Sequence, residues 1–335
     1  MRVTNTGMIA TQNYKLQNNL RRMDTLNEQL NTGKVVNRSS DDPYEARRIM
    51  NLKNEIAYTE KYNKNIDEVT GWLESTDGTL NEATNILDSL MVDIIAVGNG
   101  AYGDQELKVL QTQINEKIGA LGDVLNNAHG DKYLMGGTEL EKPPILIDQG
   151  PPVQLSLNLY DADDNPNGIK ESDLNGKLNI NIGENITTDY NLSVTEFFGY
   201  EDEDNQGFLG TINRLSEVMD KIANPDRYED EEIDVDELKK ELIFGEGNTL
   251  QTQVKDMFNH VVNKRTEIGT TIQKTEQVKQ LNETSIEEMT KVLSVKQDTD
   301  YAQKIVEYST ASLIYQASLK VSADIVQKSI MDYIR

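Results

Sequence analysis

The stretch YAQKIVEYSTASLIYQASLKVSADIVQKSIMDY, residues 301–333, sets Tyr301, Ile305, Tyr308, Tyr315, Leu319, Val326 and Tyr333 on a four-three register. At the other end of the chain, Ile9, Leu16, Leu20, Met23 and Leu30 repeat that register. Such spacing places apolar side chains on one narrow helical face, the seam of a coiled coil. The opposite sides are rich in Asn, Gln, Lys and Ser, so neither helix buries its stripe alone. The simplest partner for each is the other, with further seams supplied by neighbouring copies. Tyr301, Tyr308 and Tyr315 recur every seven residues between Ser and Gln, too thin a stripe for a self-sufficient core, and read as a seam between subunits. Asn13 and Asn27 interrupt the N-terminal register. A helix of this kind is marginal without packing, so both ends are expected to order on assembly.

Composition agrees with narrow seams. The chain has 335 residues, 37% hydrophobic, with one Trp and five Phe. That suits two or three domains of long helices better than one thick core. A formal net charge of −24 opposes binding to a phosphate backbone or an acidic membrane surface, so neither nucleic acid nor membrane is an expected partner. No run of about 18 apolar residues is present to cross a bilayer. Residues 1–20 lack the apolar core of a secretory signal peptide. With no Cys, disulfides, thiol chemistry and the usual structural zinc sites are excluded.

The periodicity predicts a first helix over residues 5–33, stopped by Gly33. A polar connector, TGKVVNRSSDDP (Thr32 to Pro43), ends in a helix start. Asp42 can cap, Pro43 fits the first helical position, and Glu45 stands three residues after the cap. Asp42 and Pro43 are therefore expected to set a bend between domains. The helical stripe continues through Ala46, Ile49, Ile56, Ile66, Val69, Leu73, Leu80, Leu87 and Ile94 to about Val97. A third helix is predicted from Asp104 to about Ala128, along Leu107, Leu110, Ile114, Ile118, Leu121 and Leu125. The period then changes to two. Ile145–Ile147, then Val153, Leu155, Leu157 and Leu159, then Leu178, Ile180 and Ile182, and lastly Tyr190, Leu192 and Val194 read as strands. Helices resume over about 207–223 and from a cap at Asn248 or Thr249 to about Lys296, along Leu250, Val254, Val261, Ile268, Ile272 and Leu281. Asp300, with Gln303, opens the terminal helix.

These elements nest like brackets. Residues 1–45 with 297–335 make an inner coiled-coil domain, 46–140 with 205–296 a middle helical bundle, and 141–204 an outer β-rich insert. The expected fold is mainly α with a small β insert, rod-like, its terminal helices paired. Bracketed by prolines and lying outside both seams, the insert is expected to be dispensable for the helices.

Chemical motifs are weak. GNGAYG (Gly98 to Gly103) has the letters of a dinucleotide fingerprint, but helical pattern precedes it where a buried strand is required, so it reads as a turn. DADDNPNG (Asp161 to Gly168) sets Asp161, Asp163 and Asn165 like the start of a calcium loop. Pro166 stands where the sharp turn needs Gly, and Ser172 where a bidentate Glu is required; an Asx- and Gly-rich connection fits better. His129 and His260 have no ligand spacing and read as surface or satisfied side chains. The acidic runs Glu201–Asp204 and Glu229–Asp236 read as solvated faces. No catalytic residue, cofactor or metal is expected.

Three stretches resemble one family. TGKVVNRSSDDP resembles the signature of flagellins and of flagellar hook-filament junction proteins. KYLMGGTELEKPPI (Lys132 to Ile145) is similar to the junction proteins' exit from the helical domain, and DTDYAQ (Asp298 to Gln303) to an element found in both. The ending Ser329-Ile330-Met331-Asp332-Tyr333-Ile334 resembles the junction type more than flagellin. The resemblance covers roughly 1–145 and 205–335. It implies a structural, extracellular role in the bacterial flagellum: a ring between hook and filament, built from copies of the chain. That ring would adjoin another hook-associated protein and filament side proteins. It also implies export unfolded through the flagellar channel, with a chaperone at the C-terminal region. A filament subunit is the alternative within the family; an enzymatic or adhesive insert is the alternative outside it.

Overall fold

The computed structural model describes residues 5–98, 102–161, 165–198, 207–228, 234–244 and 249–333. Along the chain run α1 (Asn5–Thr32), α2 (Pro43–Gly98), α3 (Asp104–Leu125), β1 (Ala128–His129), β2 (Lys132–Tyr133), β3 (Ile145–Asp148) and β4 (Gln154–Leu157). They are followed by α4 (Glu171–Leu174), β5 (Asn179–Gly183), β6 (Ile186–Asp189), α5 (Val194–Phe198), α6 (Phe208–Ala223), α7 (Val235–Lys239), α8 (Leu250–Gln297) and α9 (Tyr301–Tyr333). The strands form three two-stranded antiparallel sheets. The fold is mainly α with a small β insert.

Local chemistry explains the helix ends. Asp42 Oδ1 accepts from the backbone N–H of Tyr44 and of Glu45, both at 3.0 Å, and α2 opens on Pro43. Glu45 instead pairs with Lys296 at 3.2 Å. Thr249 Oγ1 accepts from the Thr252 N–H at 3.3 Å before α8, and Asp300 Oδ1 from the Gln303 N–H at 3.1 Å before α9. Each side chain satisfies a donor that a helix start leaves orphaned. Gly33, at φ +70°, ends α1 with its N–H on the Gln29 carbonyl.

The chain divides into two compact units, residues 1–60 with 283–335 and residues 61–282. The unit of residues 61–282 has one large core and a smaller buried cluster among its described residues. α2 supplies Val69, Leu73, Leu80, Leu87 and Ile94; α3 supplies Ile114, Ile118 and Leu121; α6 supplies Ile212, Leu215 and Met219; α8 supplies Val254, Val261 and Ile268. Ile145, Leu155, Ile169, Leu174, Leu192 and Phe197 of the β-rich segment lie in that same core. The divisions at 45, 140, 205 and 297 drawn from the sequence differ from these boundaries, and the segment drawn as a separate insert has no core of its own. A lone two-stranded sheet is marginal in water. The β3–β4 hairpin is therefore sewn to helices. Asn126 accepts from the Ile145 N–H at 3.0 Å and donates to its carbonyl at 2.9 Å. Asn213 does both for Leu155, at 2.8 Å each. The β-rich segment thus shares the core of this unit.

The β5–β6 hairpin reaches a second place in the unit. Asn65 donates to the Asn181 carbonyl at 2.8 Å, and Asn282 to the Ile182 carbonyl at 3.0 Å. Ile66, Ile182 and Val278 bury together beneath these bonds. Val278 is thus the buried position of α8 here, whereas Leu281 is 68% exposed; a register step of four from Ile268 to Ile272 is followed by steps of three to Thr275 and Val278. Tyr190, Leu192 and Val194 do not form a strand: β6 stops at Asp189 and Val194 opens α5. The sequence Ser193-Val194-Thr195-Glu196 carries the reason, since Ser193 Oγ accepts from the Glu196 N–H at 3.2 Å as a cap. α3 stops at Leu125, short of Ala128, which belongs to β1.

Candidate assembly interface

Within the unit of residues 1–60 and 283–335, α1 and α9 pack antiparallel. Gly33 takes the Thr299 N–H at 2.9 Å at one end of the pair, and Asn19 donates to Ser318 Oγ at 3.3 Å further along. The inward positions of α1 are Ile9, Gln12, Leu16, Asn19, Met23, Leu26 and Leu30. Ile9, Leu16, Met23 and Leu30 of the sequence-derived register therefore lie on this face, half-buried. Leu20 does not: it is 51% exposed, because the register steps from Leu16 to Asn19, one residue short of it. Asn13 and Asn27 are exposed, and the polar interruptions of the seam are Gln12 and Asn19 instead. Leu26, 5% exposed, escaped the sequence reading, although it continues the step of three from Met23.

On α9 the inward positions are Lys304, Tyr308, Ala311, Tyr315, Ser318 and Ser322. Tyr308 and Tyr315 stand where the sequence stripe put them. Ile305 and Leu319 do not face α1; they are 54% and 43% exposed, while Tyr301, 53% exposed, meets only Gly33 at the end of α1. Their register lies one helical step round from the true seam, where small residues let the two backbones approach. The side chains of Val326 and Tyr333 lie outside the described residues. Asp42 and Pro43 stand at the start of α2, one as cap and one as first helical residue.

The outcome is a helix apolar on several sides. Val306, Leu313, Ile314 and Val321 add to the exposed apolar surface of α9, Val306 and Leu313 at 65% and 67%. α1 exposes Met8 and Tyr14 as well. Among the described residues of this unit, only Leu26, Ile49 and Ala311 are buried apolar side chains. A helix apolar all round is normally covered, and contiguous exposed apolar surface marks an interaction site. The α1–α9 pair covers one stripe of α9 and leaves the others open.

Electrostatics in this unit are local. Glu307 accepts from Lys304 at 3.0 Å and from the Gln303 side-chain amide at 3.1 Å. The Lys304 hydrogen bond, with the charges of Lys304 and of Arg22 on α1, holds the Glu307 carboxyl below its ordinary value. The two connections between helices are tied by a short bridge, Lys34 opposite Asp298, with the Val35 N–H on the Gln297 carbonyl at 2.8 Å.

The chemical candidates resolve into structural roles. His129 Nδ1 meets Ser75 Oγ at 2.8 Å, and His260 Nε2 meets the Glu196 carbonyl at 3.1 Å. In DADDNPNG, Asn165 turns its side-chain amide N–H onto Asn158 Oδ1 and the Leu159 carbonyl; Asp163 lies outside the described residues. In GNGAYG, Gly98 ends α2 and Gly103 precedes α3, so helix and not strand comes before the stretch; residues 99–101 lie outside the described set, as do Glu201–Asp204, Asn248 and residues 229–233 of the second acidic run. Among the described residues no three His, Cys, Asp or Glu side chains group to hold a metal ion. A cleft of about 690 Å³ beside α3, lined by Lys108, Gln111, Glu116, Asn224 and Arg227, adjoins the fully buried Asp220. That carboxylate is satisfied within the protein by Gln111, Asn224, Arg227 and Tyr228. Among the described residues no helix is long and apolar enough to cross a membrane.

Comparison with known proteins points to one group. Residues 3–138 match the family described as the bacterial flagellin N-terminal helical region. The chain is 26% identical over 266 residues to polar flagellin B/D of Vibrio parahaemolyticus, covering 75% of this chain and 66% of that protein. It is 24% identical over 255 residues to flagellar hook-associated protein 3 of Escherichia coli, covering 76% and 74%. A flagellar filament core protein of Treponema maltophilum matches over 36% of this chain and 40% of its own length. The chain thus spans between two fifths and three quarters of these relatives. Its fold is shared by a flagellar hook-associated protein from Vibrio parahaemolyticus, with TM-score 0.60 at 15% identity over 77% of this chain and 99% of that one. It is also shared by the flagellar junction protein of Legionella pneumophila, with TM-score 0.53 at 12% identity over 74% and 99%.

Proposed function

We propose that this flagellin-like chain is a structural subunit of the bacterial flagellum that forms the junction between hook and filament. One observation carries the reading. The unit built from both chain ends exposes apolar α9 side chains on faces that α1 does not cover, and among its described residues only three apolar side chains are buried. Copies of the same chain, packed side by side, complete that unit. Its partners are then further copies of itself, the neighbouring hook-associated protein and the filament-side proteins. An export chaperone engaging the C-terminal region belongs to the same reading, as does an extracellular location on the flagellum. The three-part division into terminal, middle and outer segments remains useful for assembly, with the β-rich segment carried on the middle one. The interface residues proposed are Ile9, Leu16, Leu20, Met23, Leu30, Tyr301, Ile305, Tyr308, Tyr315, Leu319, Val326 and Tyr333. Leu20, Tyr301, Ile305 and Leu319 are the exposed members that a neighbouring copy would cover.

The comparisons with hook-associated proteins of similar fold support the junction over the filament. No catalytic role is proposed. The test is to add fluorescently labelled protein to isolated hooks and image them. Label in one band at the hook's distal end is the expected result. Label extending along a growing polymer would assign the chain to the filament, and unlabelled hooks would overturn the reading.

A further inference from the structure

The charge of this chain is segregated between its two units. Residues 1–60 and 283–335 hold fifteen basic and fifteen acidic side chains, and so balance. Residues 61–282 hold eighteen basic and forty-two acidic ones, and so carry the whole net charge of −24. The division that follows packing also follows charge. The unit with the uncovered apolar helix is neutral; the unit with the self-contained core is strongly acidic. Acidic groups of the latter lie on its surface, with Asp67, Glu74, Glu82, Asp88, Asp104 and Glu106 all exposed.

We infer that neighbouring copies attract through the neutral unit and repel through the acidic one, so that assembly depends on the ionic strength around it. The inference rests on the self-assembly reading above. Helices that pack do so with axes about 8–10 Å apart. An acidic unit of this length has a radius of gyration of about 17 Å. Each acidic unit is covalently continuous with its neutral unit, so joining copies gathers their acidic units as well. Uniform net charge of one sign opposes association. Its range is the Debye length, roughly 30 Å at 0.01 M salt and about 10 Å at 0.1 M. Repulsion between acidic units therefore reaches further in dilute salt and is cut short in concentrated salt. The apolar contact of α9 is not weakened by simple salt, so the sum shifts toward assembly as salt rises. No cation site is required: screening by any simple salt serves. This sign is opposite to that of an interface built on opposite charges, which salt weakens. It also confines the attraction to one part of the subunit, leaving 61–282 to be held by its own core.

The test loads labelled full-length protein onto isolated hooks at about 20 mM and about 300 mM sodium chloride, counting copies per hook. A second chain carries E201Q, D202N, E203Q, D204N, E229Q, D230N, E231Q and E232Q, which remove one third of the net charge. The expected result is at least about a threefold rise in loading of the natural chain with salt. The neutralised chain loads better in dilute salt, and the two converge in concentrated salt. Magnesium chloride at equal ionic strength should match sodium chloride. Circular dichroism at both salts checks that each chain is folded. Loading that is flat or falls with salt overturns this inference and leaves the junction reading standing, as does a neutralised chain that remains equally salt-sensitive. Hooks bare under every condition overturn the junction reading and this inference with it.

Discussion

The hydroxyl of Tyr301 lies over the α-carbon of Gly33: a Cβ added to Gly33 would stand 2.7 Å from that oxygen. Two constraints meet at one residue, since Gly33 also has φ +70°. The left-handed region costs a residue with a Cβ roughly 1–2 kcal/mol. Gly33→Ala should therefore destabilise the unit of residues 1–60 and 283–335 by more than that strain alone. Adding Tyr301→Phe removes the clashing oxygen and leaves the next ring atom at 3.5 Å. Part of the loss should return in the double variant, read by hydrogen exchange of the assembled chain at residues 29–37 and 296–303. Strictly additive effects would show that the tyrosine is not what the glycine accommodates.

Leu155 tests the shared core. It is 1% exposed within the β-rich segment and sits among α3 and α6 residues. Leu155→Ala should cost about 2–5 kcal/mol of stability in denaturant unfolding of residues 61–282. Joining residue 140 to residue 206 through a short linker should lower the helical signal in circular dichroism, because the helices lose Ile145, Leu155, Ile169 and Leu174. Undiminished helical content would mean that the helices close without the segment.

Asp42→Ala removes the acceptor for two backbone donors at the start of α2. The expected cost is about 0.5–2 kcal/mol, read as faster hydrogen exchange over residues 43–46. Unchanged exchange there would show that Pro43 and the Glu45–Lys296 pair hold the turn without the cap.

Glu217 gives a pH dependence with a definite sign. Burial pushes its carboxyl upward, but the Lys221 hydrogen bond and the Arg214 and Lys221 charges outweigh it, and the net shift is downward. A carboxyl depressed on folding adds stability above its unfolded value, near 4.3 on the ordinary scale. That stability is lost as pH falls through the depressed folded value. Glu217→Gln should lower the melting temperature at neutral pH, and the deficit should shrink as acid protonates Glu217 in the natural chain. An equal deficit at neutral and acidic pH would place its origin in packing.

The helices were legible because each stripe of buried residues recurs at one spacing. Leu80, Leu87 and Ile94 on α2, and Ile114, Ile118 and Leu121 on α3, are each fully buried where the period put them. The seam of α9 was legible only in part. That helix is apolar on several sides, so periodicity offers more than one stripe, and the one facing α1 is built from Ala311, Ser318 and Ser322 beside two tyrosines. Small and polar residues at a close helix contact carry no hydrophobic signal. The sharing of the core by the β-rich segment was hidden for another reason. Its attachments are made by Asn126, Asn213, Asn65 and Asn282, which read as surface residues until the backbone groups they satisfy are known.

An apolar residue of α9 outside the α1 seam should matter to assembly and not to the monomer. Leu313→Asp changes a side chain 67% exposed in the single chain. Its effect on monomer melting should stay within about 0.5 kcal/mol, as for ordinary surface changes, while loading onto isolated hooks falls at least tenfold. Normal loading would place the contacts between copies on another face.

Hydrogen exchange of the same chain, free and assembled on hooks, tests the central claim most directly. Residues 61–282 have their own core and should be protected equally in both states. Ordering each residue costs about 1–2 kcal/mol of backbone entropy, and one stripe between α1 and α9 offsets little of that. Residues 8–30 and 301–323 should therefore exchange rapidly in the free chain and become protected on assembly. Equal protection of those helices in both states would contradict an account in which neighbouring copies complete them.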